Sequence, residues 1–258
     1  MGFVTTEDRD AVRWMTLSAP GTKNAVPPAG WDELAETFDA FEASPQRALV
    51  LIGGGGDFCA GADLGGGLSA DTSAASNAEW MRGPNRAATA LHRLSKPTVA
   101  AVDGVAVGAG MNLAIGCDIV IATTRVRFSE IFVRRGLTVD FGGSWLLPRI
   151  IGLAKARELA LTGRIVDAAE AEAIGLAARV VDPDELEAAA SEIAGALAAG
   201  APLAQRFIKV ALDRSSTMTF EQALALEQQS QAILLGSEDL VEGAAAFFEG
   251  RPPEFGGR

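Results

Sequence analysis

The 258-residue chain has one histidine, two cysteines and fewer basic than acidic residues, and each scarcity removes a class of chemistry. Cys59 and Cys117 stand far apart, with no C-x-x-C pair and no flanking histidine pattern. Neither a disulfide framework nor a zinc site is expected, and no metal ligands are assigned. Both cysteines read as small buried hydrophobes of a reduced, intracellular protein. The lone histidine, His92 in A-L-H-R-L-S-K, reads as a surface helix residue. Lys and Arg total 22 against 33 Asp and Glu, a formal charge of −11. A nucleic-acid backbone or an anionic membrane, both of which need a basic footprint, is therefore not expected as the partner. No apolar run long enough to span a membrane occurs, and the start M-G-F-V-T-T-E-D-R-D lacks a signal peptide's basic and apolar regions. The expected location is the cytoplasm. Gly53 to Gly56 is not followed by G-K-[ST], and after Gly108-Ala109-Gly110 the next glycine of a dinucleotide fingerprint is replaced by Leu113. Triphosphate and NAD binding are not expected, and no cofactor is assigned.

What the chain does have is a 48% hydrophobic content, enough for one large core. Strand and helix patterns alternate, which points to βαβ units and an α/β fold. Expected strands are 11–17, Ala48–Ile52, Thr98–Val102, Ile119–Ala122 and Ala177–Val181. Helices are expected over Ala29–Glu42, with Trp31, Leu34, Phe38 and Phe41 at helical spacing, over 79–94, from about Gly108 to Gly116, and over Gly152–Leu161. The Gly- and Ser-rich stretch Gly65–Ser76 reads as a surface loop placed to act as a lid. After Asp184 only helical periodicity remains, and segments 202–213 and 220–235 carry wide apolar faces suited to packing on the core or on another subunit.

Two glycine-rich segments carry the chemical signal. Phe58–Leu64 reads F-C-A-G-A-D-L and Gly104–Asp118 reads G-V-A-V-G-A-G-M-N-L-A-I-G-C-D, each just after a short apolar run. Two such turns can aim two main-chain N–H groups at one point, as a reaction that builds negative charge on a carbonyl oxygen requires.

These segments occur in order with K-N-A at Lys23–Ala25, S-K-P-T-V-A-A-V-D-G at Ser95–Gly104 and G-G-S-W-L-L-P-R-I-I-G at Gly142–Gly152. L-T-G-R-I-V-D-A-A-E-A-E-A-I-G-L at Leu161–Leu176 and E-G-A-A-A-F-F-E-G-R-P-P-E-F at Glu242–Phe255 follow. Together they resemble the enoyl-CoA hydratase/isomerase, or crotonase, family over nearly the whole chain. The resemblance implies a spiral core of ββα turns over 1–195 and a C-terminal helical segment over 196–258 that mediates homotrimers, often paired as hexamers. It implies an acyl-CoA thioester substrate, coenzyme A being part of the substrate rather than a cofactor. It places the oxyanion donors on the N–H groups of Ala62 and Ala109, the latter at a helix start whose dipole adds to the effect. Ala25, Ala60, Gly61, Asp63, Leu64 and Gly108 line the approach, and Lys23 and Arg251 are candidate contacts for CoA phosphates, Arg251 from a neighbouring subunit.

The two glutamates that position water in the family's hydratases fall at Asn112 and Phe132 here, and neither side chain can take a proton from water. Asp140, in R-R-G-L-T-V-D-F-G-G, matches instead the aspartate of the family's isomerases and of a dehalogenase. The dehalogenase needs a histidine where this chain has Arg86, so that chemistry ranks low. The leading expectation is an isomerase in which Asp140 moves a proton, shielded by Phe132, Val139 and Phe141 so that its pKa rises. Two alternatives stand beside it: a hydratase with a rearranged base such as Glu130, and a catalytically silent acyl-CoA-binding protein. Asp140 could instead cap the helix that begins near Gly142. Glu130 is expected more readily in an ion pair with Arg134 or Arg135, and Asp63 as a structural brace of the Ala62 turn.

Overall fold

The computed structural model describes residues 2–65 and 73–258, and the lid expected over Gly65–Ser76 falls largely outside them. A six-stranded sheet forms the centre. Strands β1 (Val4–Arg9) and β2 (Val12–Leu17) pair antiparallel. From β2 onward every pairing is parallel, through β3 (Ala48–Gly53), β4 (Thr98–Val102), a strand at Ile119–Thr123 and one at Arg179–Val181. The middle strands are apolar on both faces because both faces are covered. Leu49, Leu51, Ala100 and Val102 pack with helix α1 (Gly30–Glu42), which presents Trp31, Leu34, Phe38 and Phe41. Val50, Val99, Ala101 and Ile121 face the opposite layer.

Between β3 and β4 lie helices α2 (Ala74–Trp80) and α3 (Arg82–His92). The helix expected over 79–94 thus begins earlier and divides at Met81, with Pro84 in the first turn of its second part. Residues 74–76 are helical, not loop, and Ser73 caps them by accepting from the Ser76 N–H.

The chain then makes a repeated unit in which a sheet strand turns sharply into a second, short strand and then a helix. Strand β4 leads to β5 (Val105–Val107) and α4 (Ala109–Ile115). Strand β6 (Ile119–Thr123) leads to β7 (Arg127–Ser129) and a single 3-10 turn, Ile131–Arg135. β5 and β7 pair parallel in a small second sheet, and the first repeat joins it through the Cys59–Ala106 bridge. This is the ββα repeat expected of the core. The short strands escape a periodicity reading because three residues are too few to show alternation, and polar β1 escapes it because most of its residues are exposed.

The remaining elements are α5 (Gly143–Ile151), α6 (Leu153–Thr162), α7 (Ala168–Ala173), β8 (Arg179–Val181), α8 (Leu186–Ala199), α9 (Pro202–Ser215), α10 (Phe220–Leu234) and α11 (Glu238–Glu249). Helix α8 closes the second face of the sheet with Leu186, Ala189, Ala190, Ala194 and Ala198. It runs across residue 195 and keeps one face buried to Ala198. Helices α9 to α11 differ: Leu212, Phe220, Phe247 and Phe248 are 67%, 73%, 80% and 85% exposed.

Candidate active site

Asn24, wholly buried, pins the first glycine loop. Its Oδ1 accepts from Ala19 N–H, and its Nδ2 donates to the carbonyls of Gly54 and Asp57 at 2.8 and 2.7 Å. Residues Lys23–Val26 then run beside Ala60–Asp63: Ala60 N–H donates to Lys23 O, Val26 N–H to Gly61 O and Asp63 N–H to Val26 O. These bonds bring Lys23, Ala25, Ala60, Gly61, Ala62 and Asp63 together. Asp63 braces the turn that follows, since Gly65 N–H donates to its Oδ1 at 2.9 Å. Leu64 is exposed.

The second glycine segment closes against the first. A Cβ on Gly110 would stand 2.2 Å from the carbonyl oxygen of Cys59. One on Gly61, whose φ is +84°, would stand 2.9 Å from Val107 O and 3.5 Å from Ala109 N. Only glycine permits this approach, and it brings the Gly61 turn, which leads into Ala62, against the main-chain nitrogen of Ala109. Among the described residues neither the Ala62 nor the Ala109 N–H has an acceptor. Ala109 is the first residue of α4, where an orphan amide and the positive end of the helix dipole coincide.

The side-chain half of the site lies on three elements. Asn112 is wholly buried on α4, Glu130 wholly buried just after β7, and Asp140 partly buried in the turn before α5. Asn112 Nδ2 donates to the main-chain carbonyl of Asp140 at 2.9 Å and lies 3.5 Å from Glu130 Oε2. Asn112 Oδ1, Glu130 Oε1 and Asp140 Oδ1 are buried without a hydrogen-bond partner. Burial pushes the Asp140 carboxyl up to about 6. Burial pushes the Glu130 carboxyl up to about 8, against the opposing bond from Asn112 and with a smaller upward push from the Asp140 charge. Two of the residues expected to shield Asp140 are buried. Phe141 is buried, its ring centroid 5.6 Å from that of buried Trp31, and Phe132 is buried against Gly108. Phe141 has φ +49°, a strained conformation for a bulky residue, immediately after Asp140.

Two expectations are corrected here. Asp140 does not cap α5: Gly142 holds the N-cap position and makes no side-chain bond, while Gly143 N–H donates to the Asp140 carbonyl. Glu130 has no ion pair with Arg134 or Arg135; Arg134 instead donates to Thr162 O, and Glu130 turns inward to Asn112. The sequence cue for Glu130 was its place in F-S-E-I-F, a carboxylate enclosed by apolar residues. Within its own chain the Arg251 guanidinium is bound by Glu242 and Glu249. Lys23 is exposed, with Asp57 Oδ2 at 3.8 Å. His92 is an exposed helix-end residue against Trp145, and both cysteines are buried and free, their thiols pushed up to about 12 by burial. Among the described residues no helix is long and apolar enough to cross a membrane.

The family model for enoyl-CoA hydratase/isomerase matches residues 7–258. The chain is 36% identical to a 1,2-epoxyphenylacetyl-CoA isomerase of Escherichia coli K12, over all of both chains. It is 32% identical to a 2,3-dehydroadipyl-CoA hydratase of the same organism, over 95% of this chain and 94% of that one. Its fold superposes on the crystal structure of an enoyl-CoA hydratase from Polaromonas sp. JS666 with a TM-score of 0.93 at 32% identity, covering 98% of this chain and 99% of that one. Converging glycine turns, a ββα core and a match along almost its whole length place this chain in the enoyl-CoA hydratase/isomerase family.

Proposed function

We propose that the protein is an enoyl-CoA isomerase, acting on a linear or ring-type acyl-CoA. The Ala62 and Ala109 N–H groups receive the thioester oxygen. The Asp140 carboxylate takes a proton from the carbon next to the thioester, and the electron pair moves onto that oxygen as an enolate. The resulting Asp140 acid returns the proton two carbons away, shifting the double bond with no net change in atoms or charge. One carboxyl suffices for such a shift, whereas addition of water in this family employs acids at the positions of Asn112 and Phe132.

The observation that carries this reading is the Asp140 carboxyl, whose Oδ1 is buried without a hydrogen-bond partner and whose pKa burial pushes up to about 6. Asp140→Asn is expected to lower turnover of a 3-enoyl-CoA by about 10²- to 10⁴-fold, the usual contribution of a positioned acid/base. In the wild type, kcat/KM should fall below about pH 6 as Asp140 takes up a proton. Wild-type turnover in Asp140→Asn would refute the assignment. The placement of Glu130 against Asn112 favours a second reading, hydration with Glu130 as base. Crotonyl-CoA hydration lost in Glu130→Gln but kept in Asp140→Asn would establish it.

Helices α9 to α11 are proposed as the self-association surface. They expose Leu212, Phe220, Val241, Phe247 and Phe248, a concentration of apolar surface that monomers rarely leave open. Sedimentation should show a trimer or a dimer of trimers, and Phe247→Ser/Phe248→Ser should shift it toward monomer. A wild-type monomer at micromolar concentration would remove the proposal, and with it the role of Arg251 at a neighbour's CoA.

A further inference from the structure

The Asn112–Glu130–Asp140 cluster is short of hydrogens. Its three orphan atoms are acceptors when both carboxyls are ionised, and both hydrogens of its one side-chain donor, Asn112 Nδ2, are already spent, on the Asp140 carbonyl at 2.9 Å and on Glu130 Oε2 at 3.5 Å. Buried acceptors left without donors are costly, so the cluster is stable only with at least one added proton. Of the two residues, Asp140 is partly exposed, while Glu130 has no solvent exposure.

Resting on the isomerase reading, we propose that Glu130 is a positioning residue that works as a neutral carboxylic acid, holding Asn112 so that its amide fixes the Asp140 turn. Neutral Glu130 supplies the missing donor. It also leaves Asp140 as the single negative charge of the pocket, ready to accept a proton. An ionised Glu130 would do the reverse: it would draw Asn112 Nδ2 toward itself and place a second negative charge near the forming enolate.

The groups that face Glu130 are few. Its own 3-10 turn carries Arg134, which is bound to Thr162 O, and exposed Arg135. The segment at Gly163 leads to Arg164, whose guanidinium is taken by Glu158 and Glu170. Helix α4 contributes only the neutral Asn112, so Asp140 is the charge that acts on Glu130.

Two substitutions separate positioning from proton transfer and from mere filling. Glu130→Gln keeps a donor and removes the titration. With trans-3-hexenoyl-CoA its kcat at pH 7 should stay within about threefold of wild type, while the decline in kcat above about pH 8 disappears. Glu130→Met fills the volume without a donor, and kcat should fall about tenfold or more with KM unchanged. If Glu130→Gln is as inactive as Asp140→Asn, Glu130 itself moves the proton and the inference is overturned. It is equally overturned if Glu130→Gln retains the alkaline decline, or if folded Glu130→Met has wild-type kcat. Should Glu130→Met not fold, the Glu130→Gln profile decides alone.

A substrate-free measurement separates this inference from the isomerase reading. In protein labelled with ¹³C at glutamate carboxyls, the Glu130 resonance should remain that of the acid through pH 7. A resonance titrating with ordinary glutamates overturns the inference even where Asp140→Asn is inactive. Wild-type turnover in Asp140→Asn overturns the isomerase reading, whatever Glu130 does.

Discussion

The two halves of the site are made of different material. Ala62 and Ala109 contribute main-chain N–H groups, placed by turns that close only because Gly61 and Gly110 lack a Cβ. Asn112, Glu130 and Asp140 contribute side chains, tuned by how deeply three separate elements bury them. The first half tolerates side-chain change as long as the turns hold. The second changes its chemistry with a single residue. This division fits the finding that an isomerase and a hydratase both resemble this chain across its length, at 36% and 32% identity.

The sharpest way to break the main-chain half without touching the other is Ala109→Pro. Ala109 is the first residue of α4, where proline's fixed φ suits a helix and its missing N–H breaks no intrahelical bond. The substitution deletes one donor and leaves Asp140 in place. Loss of a single oxyanion donor costs about 10²- to 10³-fold in kcat, about 3 to 4 kcal/mol of transition-state stabilisation. Ala109→Gly, which keeps the N–H, serves as the control and should lose far less. If Ala109→Pro folds, as judged by its thermal transition, and turns over a 3-enoyl-CoA at the wild-type rate, the donor assignment is wrong.

The two halves also differed in how far they could be read before the fold was known. Glycines announce main-chain geometry directly, because a positive φ or a missing Cβ is a local property. The Phe58–Leu64 and Gly104–Asp118 segments therefore mark their own turns. The long strands and helices of the core are similarly local, carried by Leu49, Leu51, Val99 and the Trp31–Phe41 stripe. Burial of a carboxyl is not local. Glu130 and Asp140 are ten residues apart along the chain, and only the packing of α4 against the turn before α5 gives them one shared amide. An expected ion pair of Glu130 with Arg134 or Arg135 was reasonable for an exposed turn and fails because the turn faces inward there. The second, small sheet was equally hidden, since its strands exist through pairing between repeats rather than through any pattern of their own.

A smaller effect sharpens the side-chain half without any substrate. Glu130 is raised from 4.5 to about 8 in the folded chain, so across that window the native state holds a proton that the unfolded state has released. Stability therefore falls as pH rises, at up to about 1.4 kcal/mol per pH unit; the contribution is complete below about pH 4.5 and gone above about pH 8. Asp140 acts in the same direction, but only between 3.8 and about 6. The interval from pH 6 to pH 8 thus isolates Glu130. Wild-type protein should lose stability steadily across it in urea titrations, whereas Glu130→Gln, neutral in both states, should give a nearly flat line. For a chain of this size about 1 kcal/mol corresponds to about 2–4 °C in Tm, so thermal melting would resolve the difference. Parallel lines for the two proteins would mean that Glu130 is ionised in the native fold. The cluster would then carry two negative charges with only Asn112 Nδ2 between them, and the contrast between an inert main-chain half and a proton-poised side-chain half would fail at Glu130.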